Sequence, residues 1–157
     1  MTDASTEQDR RWLRTAISLS HQCPPSQTAF SVGAVIVDGH GNEISRGYSR
    51  ETNAHVHAEE AALAKLPADD PRLKTATLYS SLEPCTQRRS RPKTCTQLIL
   101  EAGIPRVVIA WKEPPTFVVD ANGTEALTAA GVTVIALPEL ANAARAANAH
   151  LLGHQGS

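Results

Sequence analysis

The chain has 157 residues, 41 % of them apolar and 20 % charged, with a formal net charge of −1. That length and apolar content suit one core, so a single domain over residues 1–157 is expected. Near-neutral charge and 4 % aromatic content argue against a surface built to neutralise many phosphates or to stack successive bases, so the expected ligand is small.

Met1–Arg14 is polar and charged rather than signal-like, and no run of about 18 apolar residues offers a membrane span, so a cytoplasmic protein is expected. Three cysteines cannot all pair with one another, and in such a chain metal ligation suits two of them better than a disulfide.

In chain order, Glu7–His21 carries Trp12, Leu13, Ala16, Ile17 and Leu19 at helical spacing, and Pro24-Pro25 forbids continuation. Val32–Val37 is a β-branched apolar run, and the turn residues Asp38–Asn42 join it to Glu43–Tyr48 as a hairpin. Ala58–Leu66, stopped by Pro67, reads as a helix beginning beside His57. Thr75–Leu82 is strand-like, and Cys85, after Pro84, is placed at a helix start. Leu98, Ile99 and Ala102 mark a helix ending at Gly103. Val107–Ala110 and Val132–Ala136 are short buried strands flanking a helix over Thr124–Ala130, and one alanine-rich helix follows Pro138. This alternation is an α/β order, implying a mixed sheet covered on both faces.

His57-Ala58-Glu59, Pro84-Cys85 and Cys95 form the chemical core of the sequence. One imidazole and two thiolates make a three-ligand zinc site, and three ligands leave a position at which water can be polarised. Residues two apart on a helix diverge by about 200°, so His57 and Glu59 can share a target only beyond the N-terminal end, toward which first-turn side chains lean. A cysteine at a helix start feels the positive end of the macrodipole, which favours thiolate. Glu59, not a ligand, is left to carry protons.

His-x-Glu followed by Pro-Cys resembles the zinc-deaminase signature, although nine residues rather than two separate Cys85 from Cys95. Val32-Gly33-Ala34-Val35-Ile36-Val37, Leu82-Glu83-Pro84-Cys85, the long intercysteine segment, and Ala102-Gly103-Ile104 before Val107-Val108-Ile109 extend the likeness. Over about Val32–Leu137 the chain resembles the cytidine-deaminase-like superfamily, and within it the deaminase domain of the bifunctional riboflavin-pathway enzyme. The resemblance implies a three-layer α/β/α sandwich around a mixed five-stranded sheet, a homodimer or higher homo-oligomer, Zn²⁺ held by His57, Cys85 and Cys95, and Glu59 as proton shuttle. The implied reaction is hydrolytic removal of an exocyclic amine, using water, from an aminopyrimidine-like base, nucleoside or nucleotide.

The sequence departs from the riboflavin-pathway pattern at Thr28-Ala29-Phe30, where Pro-Asn-Pro is typical, and at Glu113-Pro114-Pro115; no reductase-like segment follows. A free-standing deaminase with its own substrate is therefore expected. Arg88 and Arg91, with Arg89 and Lys93, are candidates for binding a substrate oxyanion or are simply solvated. Phe30 is core or pocket wall. Asn53 and His55 precede the metal helix and could meet a ring edge, or be turn residues. Trp111 follows a strand at the end where α/β proteins place ligands, and could stack on a heterocycle. Two other readings stay open: deamination of a base within RNA or DNA, and a non-catalytic zinc scaffold, closed by a fourth ligand such as His55, in which Glu59 has no role.

Overall fold

A computed structural model of the protein describes residues 2–85, 93–112 and 123–152. Helix α1 (Thr2–Ser20) leads into a hairpin of β1 (Gly33–Val37) and β2 (Glu43–Tyr48), then α2 (Ala58–Ala64) and a 3₁₀ turn over Pro71–Thr75. Strand β3 (Thr77–Leu82), α3 (Cys95–Ala102), β4 (Arg106–Trp111), α4 (Gly123–Ala129) and β5 (Thr133–Ala136) follow. A second 3₁₀ turn, Pro138–Leu140, opens on α5 (Ala141–Ala146) and α6 (Ala149–Leu152).

The five strands lie in the order β2-β1-β3-β4-β5. Strand β1 is antiparallel to both β2 and β3, whereas β3, β4 and β5 are mutually parallel. The expected mixed sheet is thus present, and helices cover both faces. Leu13, Ala16 and Ile17 of α1 pack with Val35, Tyr79 and Val108 on one side, together with Ala144 of α5. Ala62 of α2, Ile99 of α3 and Leu127 of α4 pack with Ile36, Leu78 and Ile109 on the other. Inward-facing residues alternate along each strand by the two-residue period, so a single strand feeds both cores.

Close layer spacing depends on two glycines. A Cβ at Gly33 would fall on the Ala16 carbonyl oxygen of α1. On the other face, a Cβ at Gly47 would sit 2.6 Å from the Ala62 nitrogen and 2.7 Å from the Ala58 oxygen. Helix α2 therefore rests directly on β2, held also by Ser45 Oγ donating to the Ala62 carbonyl at 2.6 Å. Helix α1 is tied to the parallel strands by buried Asp9, which accepts from Tyr79 Oη at 2.7 Å and from Arg106 Nη2 at 2.6 Å.

The order of strands and helices agrees with the sequence reading, but β5, expected as a buried strand, lies at the sheet edge and is partly exposed along its length. The single alanine-rich helix expected after Pro138 is broken into a 3₁₀ turn and two short helices. The break falls at Ala147–Asn148, where Asn148 is buried and its amide pairs with the backbone of Ser31, accepting from the nitrogen and donating to the oxygen at 3.0 Å. A long-range amide pair outweighs helix continuity at that point.

We expect Gly47→Ala to lower stability by about 1–3 kcal/mol through overpacking of α2 on β2, read as a fall in the urea midpoint at unchanged slope.

Candidate metal centre and active site

Strand directions bring the site together. Because β1 runs against both of its neighbours, the C-terminal ends of β2, β3 and β4 share one edge of the sheet with the start of β1. Segments leaving β2 toward His57 and leaving β3 toward Cys85 therefore emerge side by side, at the edge where α/β sheets bind ligands.

His57 is the N-cap of α2 in extended backbone, and Glu60 accepts from its N–H at 3.3 Å. This puts His57 at the helix mouth with Glu59 in the first turn, as the sequence predicts. The helix start assigned to Cys85 is found instead at Cys95. Cys95 is the first residue of α3, capped by Thr94 Oγ1 accepting from Gln97 N–H at 3.2 Å. Cys85 lies in irregular backbone after β3 and borrows the amides of α3. Cys95 N–H donates to its Sγ at 3.3 Å, and Thr96 N–H and Oγ1 donate to its carbonyl at 3.1 and 2.8 Å. The helix-dipole argument holds, with the dipole supplied by the other cysteine's helix.

His57 Nδ1 lies 3.3 Å from Cys95 Sγ and 3.6 Å from Cys85 Sγ. The three donor atoms all fall within 4.8 Å of one another, and among the described residues they are the group able to hold a metal ion. With zinc bonds near 2.05 Å to nitrogen and 2.3 Å to sulfur, a tetrahedral centre separates these donors by about 3.6 Å. The residues therefore fit zinc, with Nδ1 as the histidine ligand. No disulfide joins any of the three cysteines.

Hydrogen bonding to Cys95, with further help from His57, pulls the Cys85 thiol down to about 4 against the opposing effect of burial. Glu59 is 3 % exposed, and burial first, then the charge at Cys85, raises its carboxyl above the usual carboxylate range. Ser80 Oγ donates to Glu59 Oε2 at 3.1 Å from the adjacent strand β3. A buried carboxyl with a raised affinity for protons, beside a three-donor metal site, is suited to proton transfer.

The remaining candidates occupy different places. Phe30 and Trp111 are both buried and meet edge to face at 5.3 Å, and the Arg145 guanidinium lies 5.8 Å from the Trp111 ring centre. Asn53 and His55 are exposed, and Asn53 Oδ1 accepts from His55 N–H at 2.9 Å, which is turn chemistry. His55 is not among the three metal donors, so the four-ligand closure it offered is not formed. Arg88 and Arg91 lie outside the described residues.

Sequence reading assigned no role to three residues that hold the site. Ser80 supports Glu59, Thr96 anchors Cys85, and buried Glu83 accepts from the Thr124 N–H at 2.7 Å. A Cβ at Gly123 would fall on the Pro84 oxygen, so α4 clamps the Pro84–Cys85 segment. Four of the six residues of β3, Thr77, Tyr79, Ser80 and Ser81, carry hydroxyls, so the strand's own sequence does not single out Ser80.

A sequence model of the cytidine and deoxycytidylate deaminase zinc-binding region matches residues 6–111. The chain belongs to this family. Among curated relatives, the diaminohydroxyphosphoribosylamino-pyrimidine deaminase of Schizosaccharomyces pombe is 40 % identical over 126 residues, covering 79 % of this chain and 31 % of that protein. The solved Aspergillus oryzae Rib2 deaminase in complex with DARIPP has a TM-score of 0.68 at 29 % identity, covering 83 % of this chain and 84 % of that one. RibD of Acinetobacter baumannii has a TM-score of 0.75 at 28 % identity, covering 93 % of this chain and 39 % of that one. The chain spans about a third of the length of the curated relatives it matches. The cytidine-deaminase-like fold and the zinc-binding character read from the sequence are those of this family.

His57→Ala, Cys85→Ser and Cys95→Ser are each expected to reduce zinc from about one per chain to near none, while Cys23→Ser retains it. Metal analysis after dialysis against a weak chelator checks this.

Proposed function

We propose that the protein is a zinc-dependent hydrolytic deaminase that replaces an exocyclic amine of a small aminopyrimidine-like heterocycle with a carbonyl and releases ammonia. The observation that carries the reading is the buried Glu59 carboxyl two residues after His57, one of the donors of a three-donor metal site. A purely structural zinc needs a fourth protein ligand and gives such a carboxyl no work.

In this reading His57, Cys85 and Cys95 hold the metal. Zinc, when bound, supplies a polarised water able to act as nucleophile near neutral pH. Glu59 would move the protons, one from the attacking water to a ring nitrogen and the second from the water oxygen to the departing amine. The sum is amine plus water giving carbonyl plus ammonia, and Glu59 ends as it began.

Relatives support the substrate class. The Schizosaccharomyces protein is named for a diaminohydroxyphosphoribosylamino-pyrimidine and the Aspergillus enzyme was solved with DARIPP. We extend this class to the present chain, with His57, Cys85, Cys95 and Glu59 in the roles above and Phe30, Asn53, His55 and Trp111 as candidates for the pocket rim. Arg88 and Arg91 sit in a segment whose two ends, Cys85 and Cys95, are both at the metal centre, so they are proposed to meet the substrate phosphate. Cytoplasmic location and a homo-oligomeric assembly belong to the same proposal.

Glu59→Gln is expected to cut ammonia release by about 10²–10⁴-fold with zinc still at stoichiometry. Wild-type activity in that variant, or no release from zinc-loaded protein over a panel of aminopyrimidines with and without ribose phosphate, would sink the reading. Replacing Arg88 and Arg91 together by Gln is expected to raise KM for a phosphorylated substrate by roughly 10–100-fold, with little change for its unphosphorylated form.

A further inference from the structure

Beyond the last pairing of the hairpin, between Ser49 and Val32, its two chains part. One runs through residues 50–56 to His57, and the other, residues 21–31, is irregular and ends on Phe30 and Ser31. Both loops bear on the metal centre. The first delivers the histidine ligand, while Phe30 of the second packs on Trp111, whose carbonyl accepts from Glu83 N–H at 2.8 Å in the stretch that ends at Cys85.

Arg50 joins the two loops. Its backbone N–H donates to the Val56 carbonyl at 2.8 Å, closing the first loop one residue before His57. Its guanidinium crosses to the second. Nε and Nη2 both donate to the Pro24 carbonyl, at 3.0 and 2.8 Å, Nη1 donates to the Phe30 carbonyl at 3.2 Å, and Nη2 donates also to Ser31 Oγ at 2.6 Å. Four of the five N–H groups of the planar fork are thereby used. The backbone meanwhile takes a conformation that side chains disfavour. At 61°, φ of Arg50 is the only positive value outside glycine among the described residues. Glycine would adopt it freely, but would leave the three acceptors of the second loop without their donor. Strain of this kind persists where surrounding contacts hold it in place, and such positions gather at functional sites.

We propose that Arg50 is a positioning residue for the substrate mouth, fixing the Phe30 loop against the loop that delivers His57 and so setting the size of heterocycle admitted. This rests on the deaminase reading, because only a substrate gives that spacing a consequence. Metal binding does not depend on it, since His57 is held at the start of α2 and Cys85 by the amides of α3. A residue that merely stiffened the fold would change the melting temperature and leave KM alone.

Three variants separate the two roles. Arg50→Gln removes the fork, Arg50→Lys keeps the charge but substitutes a point donor for the planar fork, and Ser31→Ala removes one acceptor. In zinc-loaded protein assayed well below its melting temperature, KM is expected to rise roughly 10–100-fold in both Arg50 variants and by less in Ser31→Ala. Zinc content and kcat stay near wild type. Ser31→Ala added to Arg50→Gln should raise KM no further, as for two residues acting through one contact. A second readout needs no turnover. In Arg50→Gln the amides of residues 24–31 and 50–56 should exchange hydrogen faster together, while those of β1 and α2 keep their wild-type rates.

Wild-type KM in either folded, zinc-loaded Arg50 variant overturns the proposal, as does faster exchange confined to one of the two loops. Should the glutamine variant not fold, Arg50→Lys and Ser31→Ala carry the test with the same signs. No turnover by the wild-type protein over the substrate panel overturns the deaminase reading and the role at the mouth with it, while hydrogen exchange still reports whether Arg50 joins the two loops.

Discussion

Gathering two sulfur ligands and a carboxyl at one buried point is electrostatically unfavourable, and most of the site consists of the means to tolerate it. Burial and the charge at Cys85 both disfavour the ionised Glu59 carboxyl, while hydrogen bonding from Cys95 and the nearby His57 stabilise the Cys85 thiolate against its own burial. The offsetting groups are the amides at the start of α3, the imidazole of His57 and the cation for which these donors are spaced. Glu83, Thr96 and the close approach of α4 at Gly123 then have a common purpose. They hold the Pro84–Cys85 backbone where the α3 amides can reach its sulfur and carbonyl.

Topology explains why the site lies where it does. One antiparallel strand, β1, inserted among strands that otherwise point the same way, sends the exits of β2 and β3 to the same edge. The two helices carrying metal ligands can then point their N-termini at one spot. Close contact of α2 with β2 at Gly47 sets how deep Glu59 sits, and that depth brings its carboxyl within reach of a hydroxyl in the adjacent sheet.

Much of this was legible because it is local. The Val32–Val37 run, the Asp38–Asn42 turn, the stop at Gly103 and the His57 helix start are each written in a few neighbouring residues, and the structure has them in place. Gly103, for example, takes the left-handed conformation, φ 79°, that ends a helix. What was not legible depends on contacts between distant segments. The helix start assigned to Cys85 belongs to Cys95, because Pro-Cys reads locally like a helix opening while the amides that serve the sulfur come from ten residues later in the chain. Asn148 breaks an alanine-rich helix for the sake of Ser31, and no propensity scale contains that partner. The partner of Ser80 is a carboxyl on another element, which the local sequence of β3 does not reveal.

The Ser31–Asn148 pairing bears on how the protein is made. Its two halves are separated by 117 residues, and at synthesis rates of about 5–20 residues per second the first waits for roughly 6–23 seconds before the second leaves the ribosome. Ser31 also receives the Arg50 guanidinium at 2.6 Å, so the segment leading into β1 has an early partner and a late one. The segment leading into β1 is therefore held first from the end of the hairpin, by Arg50, and is completed only once the residues at the α5–α6 junction have been made and Asn148 can dock.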